Sequence, residues 1–187
     1  MKKYIILLFI TLSSIVSNSQ EFNGVLIDGD LASFVSKMKA KNYSLRKYIE
    51  NGAIMDGKVG YNDVEVFIFT TPKSKKVFRL SVYFPKKTTW SSLKSSYLGL
   101  LSTLTDKYGE PTNKGEIFKD PYYEGDGYEM SAVAVEKVVY LAYWEYIANL
   151  FLSIEISKYN QVNIVYDNAA NLAIRDKEIK SINTNIL

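Results

Sequence analysis

The sequence predicts an α+β fold in which two helix-then-antiparallel-sheet units pack as one domain, with the helices on one side of the sheet. Apolar side chains alternate from Phe78 to Phe84, as expected for a strand with one face on a core. From Trp90 to Tyr108 they recur every three or four positions, which is typical of a helix with one apolar stripe. The short connections between such segments favour antiparallel pairing.

The first unit is expected to span about residues 28–85. Asp30 follows a turn and can cap a helix, because a side-chain oxygen at this position accepts from backbone N–H groups of the first turn. Asn51-Gly52 is the strongest short signal for a hairpin in the chain. We therefore predict about four antiparallel strands after the helix, at 44–50, 53–59, 62–69 and 77–84.

The second unit, about residues 88–168, repeats this order of elements. Thr88 or Thr89 can cap the long helix, as the hydroxyl of either residue can accept from the first turn. Asn168 can cap a last helix, so that a helix and tail are expected over 168–187. The elements predicted in between are a strand at 113–118 and strands at 139–146, 150–157 and 161–167. Residues 129–138 fit either a short helix or a strand, and the helix is the favoured alternative.

Residues 1–19 have the pattern of a signal peptide. Two lysines precede an apolar run, 4–16, which is shorter than the ~20 residues needed to span a bilayer. Small residues follow, so we expect cleavage near Ser19/Gln20. The mature chain, residues 20–187, is then expected to form a single exported domain, periplasmic or extracellular, without a membrane span.

The chain contains neither histidine nor cysteine. Their absence excludes an imidazole acid, base or metal ligand, a thiolate nucleophile, a disulfide and a zinc–thiolate site. Without the two lysines of the signal peptide, the 23 basic residues fall to 21 against 20 acidic ones, so no basic face for nucleic acid is expected. We predict no cofactor, no metal ligand and no catalytic residue, and an enzyme is the less favoured class.

The most distinctive surface segment is the insert, residues 119–130, in which tyrosines are interleaved with acids and glycines. Tyrosine combines a rigid ring with a polar tip, which suits the binding of a protein or a glycan. A polar loop whose tyrosines pack back on the sheet is the alternative. The candidate binding residues are Tyr122, Tyr123, Glu124, Asp126, Tyr128 and Trp144, the last as a stacking ring outside the insert.

The acids of the insert also allow a second function, that of a carboxylate-based glycan hydrolase. Such an enzyme needs two carboxyl groups facing each other across a cleft, one of them with a raised pKa. Calcium ligation is a further option, although the spacing of the acids does not fit an EF-hand loop. The acids available for either role are Asp120, Glu124, Asp126 and Glu129.

Four segments carry a resemblance to a known group of proteins: Asn23–Leu31, Thr71–Lys76, Trp90–Lys94 and Asp126–Met130. With these segments the chain resembles small exported proteins of gut-type Gram-negative bacteria, a likeness that covers most of the mature chain and implies no particular activity. The order of helices and strands is also similar to the tandem repeat of β-lactamase inhibitory proteins. That topology implies a role in protein binding, although those inhibitors are typically braced by disulfides, which this chain lacks.

From these patterns we expect an exported, non-enzymatic binding or protein-interaction module. Its partner would be a protein or a glycan, and its contact surface would combine sheet residues with the insert. A structural component of the cell envelope that self-associates is a further hypothesis.

Overall fold

The computed structural model describes residues 21–147 and 150–184, so the predicted signal peptide lies outside the described residues. Within these ranges the chain forms ten strands and four helices. The strands are β1 (Glu21–Phe22), β2 (Val25–Leu26), β3 (Ser44–Ile49), β4 (Gly52–Val59), β5 (Asn62–Thr70), β6 (Val77–Tyr83), β7 (Asn113–Phe118), β8 (Val138–Ile147), β9 (Leu150–Ser157) and β10 (Gln161–Asn168). The helices are α1 (Leu31–Lys39), α2 (Trp90–Tyr108), α3 (Glu129–Ala134) and α4 (Ala169–Thr184).

Eight of the strands form one antiparallel sheet in the order β3-β4-β5-β6-β10-β9-β8-β7, which confirms the predicted α+β class. The two central strands, β6 and β10, are far apart in the chain and pair from Arg79–Asp167 to Tyr83–Asn163. Strands β1 and β2 form a separate two-stranded ribbon. In the part of the chain described here, no helix has the length and apolar character needed to cross a membrane.

The core cluster combines residues of the sheet with residues of α1 and α2. Alternate strand residues such as Val66, Leu80 and Ile154 are fully buried. Phe34 of α1 and Leu93 of α2 are equally buried and belong to the same apolar cluster. The apolar stripes of both helices therefore contribute to the core.

The predicted helix caps are confirmed. Asp30 accepts a hydrogen bond from the backbone N–H of Ser33 at 2.9 Å, and Thr89 caps α2 in the same way. Asn168 caps α4 by accepting from the N–H of Asn171 at 3.0 Å. Side-chain caps at these positions satisfy backbone donors that the helix itself leaves without partners.

One feature of β6 differs from the predicted alternation. Phe78 is an extra residue opposite β5, where the register shifts, and the core cluster contains Val77 and Leu80 but not Phe78. A β-bulge adds one residue to a strand and so shifts the alternation of its side chains. The core-facing positions are therefore odd-numbered before the bulge, as at Val77, and even-numbered after it, as at Leu80. The guanidinium of Arg175 in α4 lies over the Phe78 ring, 5.1 Å from its centroid.

Candidate functional site

The insert folds around its own acidic side chains. Asp126 accepts hydrogen bonds from the backbone N–H groups of Tyr123, at 3.1 Å, and Tyr128, at 2.7 Å. Glu129 accepts one from the N–H of Gly125 at 2.9 Å. Aspartate and glutamate in such positions hold a loop in one shape, because their carboxylates accept hydrogen bonds from backbone N–H groups that are not paired in a sheet or helix. Both acids therefore organise the loop itself.

Glu124 anchors the insert to the side of the sheet that carries α2. Its Oε1 accepts hydrogen bonds from Nε1 of Trp90 at 3.0 Å and from Nζ of Lys94 at 2.6 Å. Its Oε2 accepts one from the hydroxyl of Tyr140 in β8 at 3.4 Å. The rings of Trp90 and Tyr140 are buried and meet edge to face, 5.1 Å between centroids. One carboxylate thus joins the insert, the start of α2 and β8.

The electrostatics of Glu124 suit an anchor. The hydrogen bond from Lys94 holds the pKa of Glu124 below its ordinary value, and the bond from Trp90 acts in the same direction. The same contact with Glu124 raises the pKa of Lys94. A glycosidase acid needs the opposite shift, so that its carboxyl group is protonated near neutral pH. The environment of Glu124 therefore does not favour the hydrolase among the alternatives.

Replacing Glu124 by glutamine should lower the free energy of unfolding by about 1 kcal/mol near neutral pH, because glutamine keeps the shape and removes the charge on a partly exposed side chain. The pKa of Glu124 is lowered by folding, so its contribution is present above the unfolded-state pKa and is lost as the pH falls through the folded-state pKa. Urea unfolding of both proteins at about pH 7 and about pH 3 measures this difference.

The exposed Glu110 provides the matched control for that measurement. Glu110→Gln should leave the free energy of unfolding nearly unchanged at both pH values. A Glu124→Gln defect of the same size at both pH values would contradict the anchoring role of the charge.

The six candidate binding residues do not all reach the surface. Tyr123 and Tyr128 are each 65% exposed, whereas Tyr122 packs against the core. Trp144 is only 1% exposed and donates its Nε1–H to the carbonyl oxygen of Gly109 at 2.8 Å. Trp144 is therefore a core residue, and the hypothesis that it stacks on a ligand is corrected. The exposed part of the predicted surface is the tyrosine pair held by the insert.

A second surface lies on the sheet face that alternates with the core residues. We call it the aromatic face, and its rings are Phe67, Phe69, Tyr83, Tyr143 and Phe151. Phe67 lies 6.4 Å from Phe69 and 5.2 Å from Tyr83, between ring centroids. Tyr143 and Phe151 stack at 5.9 Å. All five are half-buried and none belongs to the core cluster, so these rings pack on one another rather than on the core.

Small side chains separate the two ring groups of the aromatic face. The strand register places Ser81 opposite Phe67, and Val165 opposite Ser81. It continues with Ser153 opposite Val165 and Tyr143 opposite Ser153. One row thus crosses five strands from ring to ring, with two serines and a valine between. The row therefore has an aromatic ring at each end and small side chains between them.

The neighbouring row of the aromatic face contains an ion pair between its rings. Phe69 and Phe151 flank Arg79 and Asp167 in the register. Nε and Nη2 of Arg79 each lie 2.6 Å from a carboxylate oxygen of Asp167. The Asp167 side chain is 2% exposed and that of Arg79 is 36% exposed. The hydrogen bond to Asp167 also raises the pKa of Arg79.

The insert and the aromatic face are attached to opposite faces of β8. Tyr140, which contacts the anchor Glu124, belongs to the core cluster, whereas Tyr143 belongs to the aromatic face. The aromatic face was not predicted from the sequence, although a signal was present: Phe67 and Phe69 alternate with core positions along β5. Alternation identifies two faces of a strand, but it does not show which of them a helix covers.

Over the described ranges, no group of three or more acidic, histidine or cysteine side chains is placed to hold a metal ion. Comparisons of the chain with protein-family models, with curated proteins and with solved structures found no match.

Proposed function

We propose that this chain is an exported, non-enzymatic protein-interaction module whose main contact surface is the aromatic face. The observation that carries the proposal is the presence of two aromatic groups outside the core, one around Phe67 and one formed by Tyr143 and Phe151. Large rings dominate the energetics of protein interfaces, because they bury much area at a small cost in conformational entropy. These rings are only partly buried, so they retain apolar area for a partner.

The dimensions of the aromatic face favour a protein as the partner. Neighbouring strands lie about 4.8 Å apart, so that a sheet of eight strands is about 34 Å wide. A standard protein interface covers about 800 Å² on each partner, which fits a face of this width. Small ligands bind instead in concave sites that surround most of their surface. A wide face with an aromatic group towards each side therefore suits a folded partner.

We infer that the sheet is built from two helix-then-sheet units, about residues 28–85 and 88–168. The strand order supports this inference, because β3 to β6 approach the centre in sequence order and β10 to β7 leave it in reverse order. Each unit would then contribute one of the two aromatic groups. Phe34 of α1 and Leu93 of α2 share one core cluster, which supports helices on a single side of the sheet. The topological similarity to β-lactamase inhibitory proteins points in the same direction.

The proposed export depends on the signal-peptide pattern of residues 1–19. It would place the aromatic face in the periplasm or outside the cell. The exposed pair Tyr123 and Tyr128 is a second proposed contact, because Asp126 holds the backbone of both residues before any partner arrives. A loop fixed in this way loses little entropy on binding.

Glutamate at position 67 or at position 143 should weaken partner binding at least about tenfold, because a charge would enter the apolar contact. The mature protein is coupled to a resin and used to capture partners from an envelope extract, and the captured protein is then purified for measurement of Kd. Phe67→Glu and Tyr143→Glu are compared with the unchanged protein. Both side chains are half-buried and lie outside the core cluster, so urea unfolding is expected to show that both variants fold.

Tyr61→Glu is the matched control, since this side chain is 103% exposed in the turn between β4 and β5. It should bind the captured protein as tightly as the unchanged chain does. Equal affinity for all the variants would overturn the assignment of the aromatic face. A loss confined to Tyr123→Ser/Tyr128→Ser would move the contact to the insert.

A further inference from the structure

The eight-stranded sheet ends at β3 on one side and at β7 on the other, and each of these edge strands pairs with one neighbour in the described part of the chain. In β3 the register shifts between Leu45 and Lys47, and the strand carries the exposed charges of Arg46 and Lys47. Bulges and basic side chains hinder the pairing of an edge strand with another chain. Strand β7, in contrast, pairs with β8 over all six of its residues without a shift. The β7 edge is therefore the more regular template for a further strand.

The pairing of β7 with β8 determines which of its backbone groups point away from the sheet. The N–H of Lys119 donates to the carbonyl oxygen of Lys137 at 2.8 Å, which continues the β7–β8 register by one residue. Hydrogen-bonded and non-hydrogen-bonded positions alternate along an antiparallel strand, so the odd-numbered residues of β7 direct their N–H and C=O groups at β8. The even-numbered residues, Lys114, Glu116 and Phe118, therefore direct theirs away from β8.

The charges of β7 make this edge complementary to a second copy of itself. Two β7 strands that pair antiparallel about a two-fold axis must place their outward-pointing residues opposite each other. With the axis at Gly115, Lys114 lies opposite Glu116 of the second copy, and Glu116 lies opposite Lys114 of that copy. With the axis at Glu116, two glutamates would face each other, and like charges directly opposite are destabilising. The charge pattern therefore favours the register centred on Gly115.

The side chains at and beside the axis suit this close approach. A glycine inside a strand often marks a place where another backbone comes near. The chain's own packing does not require glycine here, because a Cβ built on Gly115 would make only an ordinary contact, 3.8 Å from Cγ1 of Val139. Lys114 and Glu116 are 47% and 27% exposed in their side chains, and their Nζ and Oε1 lie 3.1 Å apart. In the paired arrangement each lysine keeps this glutamate and gains a second one across the axis.

We propose that two copies of this chain pair through β7, antiparallel and centred on Gly115, so that their sheets become continuous. Lys114 and Glu116 of opposite copies then exchange backbone hydrogen bonds as well as charge contacts. The axis is perpendicular to the sheet, so the aromatic faces of the two copies lie on the same side. The pairing uses backbone groups in the plane of the sheet and leaves the aromatic face uncovered, so it does not rest on the proposed function.

Sedimentation velocity of the mature protein, from about 1 to about 300 µM, tests the proposal. The unchanged protein should pass from monomer to dimer over this range. Lys114→Glu and Glu116→Lys should each weaken dimerisation at least about tenfold, because each turns both attracting pairs across the axis into like-charge pairs. Both side chains are partly exposed, and urea unfolding checks that the variants fold.

Two restorations distinguish this register from a general effect of charge. The double variant Lys114→Glu/Glu116→Lys should dimerise like the unchanged protein, because opposite charges again face each other. An equimolar mixture of the two single variants should form a mixed dimer, although each variant alone is mainly monomeric.

Lys47→Glu, the same change at an exposed position of the other edge strand, is the matched control and should leave dimerisation unchanged. The proposal is overturned if the unchanged protein stays monomeric up to about 300 µM, or if its dimer is insensitive to both single variants. It is equally overturned if Lys47→Glu abolishes the dimer, or if neither the double variant nor the mixture restores it. None of these results bears on capture of a protein by the aromatic face.

Discussion

Replacing Arg79 by methionine should lower the free energy of unfolding by about 3 kcal/mol. Asp167 is 2% exposed and receives two hydrogen bonds of 2.6 Å from the guanidinium of Arg79. Methionine has a similar length but no charge, so the buried carboxylate would lose its bidentate partner. Loss of one member of a buried pair costs about 3 to 5 kcal/mol, and partial exposure of Arg79 places this case at the lower end. Urea unfolding gives the value directly.

Two further variants separate this effect from a general loss of charge. Arg46→Met removes an exposed partner of Glu65 and should cost only about 0.5 kcal/mol. The double variant Arg79→Met/Asp167→Leu should recover most of the lost stability, because no buried carboxylate remains. If Arg79→Met is no more destabilising than Arg46→Met, the Arg79–Asp167 pair does not stabilise the centre of the sheet.

Replacing Gly52 by alanine should also lower the free energy of unfolding by about 3 kcal/mol. A Cβ atom at this position would overlap the carbonyl oxygen of Ile68 and lie 3.0 Å from its carbonyl carbon. These are backbone atoms of β5, which is paired on both sides, so they cannot move away without disturbing two ladders. Thermal and urea unfolding of the variant measure the loss.

Gly99 in α2 is the matched control for this substitution. Nothing lies within 4 Å of a Cβ built on Gly99, and alanine is the better helix former. Gly99→Ala should therefore raise the free energy of unfolding, by up to about 1 kcal/mol. A Gly52→Ala protein as stable as the unchanged chain would show that β4 and β5 do not approach so closely.

The hairpin at Asn51-Gly52 shows which structural features a local sequence pattern predicts and which it does not. The dipeptide predicts a hairpin, and β3 and β4 form one. However, Ile49 pairs with Gly52, so the loop is Glu50–Asn51, and Gly52 does not have the positive φ that the pattern implies. The glycine is needed because β5 passes against it. That contact depends on the neighbouring strand, which no local pattern specifies.

The elements themselves were predictable because helix stripes, strand alternation and capping residues are local properties. The strand order was not, since the pairing of β6 with β10 joins residues about half a chain apart. The aromatic face was missed for a related reason. Phe67 and Phe69 are visible as one side of an alternating strand, but which side faces the core is decided by the packing of distant segments.

In the candidate site, too, local features were predictable from the sequence, whereas contacts between distant segments were not. The tyrosines of the insert were predicted as surface residues, and Tyr123 and Tyr128 are exposed. Trp144 occupies the same face of β8 as the core residues Tyr140 and Ala142, and it lies in the core, where the carbonyl oxygen of Gly109 at the end of α2 accepts its N–H. The three-donor environment of Glu124 combines α2, β8 and the insert, so it could not be read from any one segment.

The position of β10 has a consequence for the growing chain. Of the eight strands of this sheet, β10 is synthesised last, yet it lies in the middle and bonds to β6 on one side and β9 on the other. Until residues 161–168 have been synthesised, the facing edges of β6 and β9 remain unpaired in the nascent chain. Chains that stop before residue 161 should therefore be the aggregating species, because the sheet cannot close without this strand.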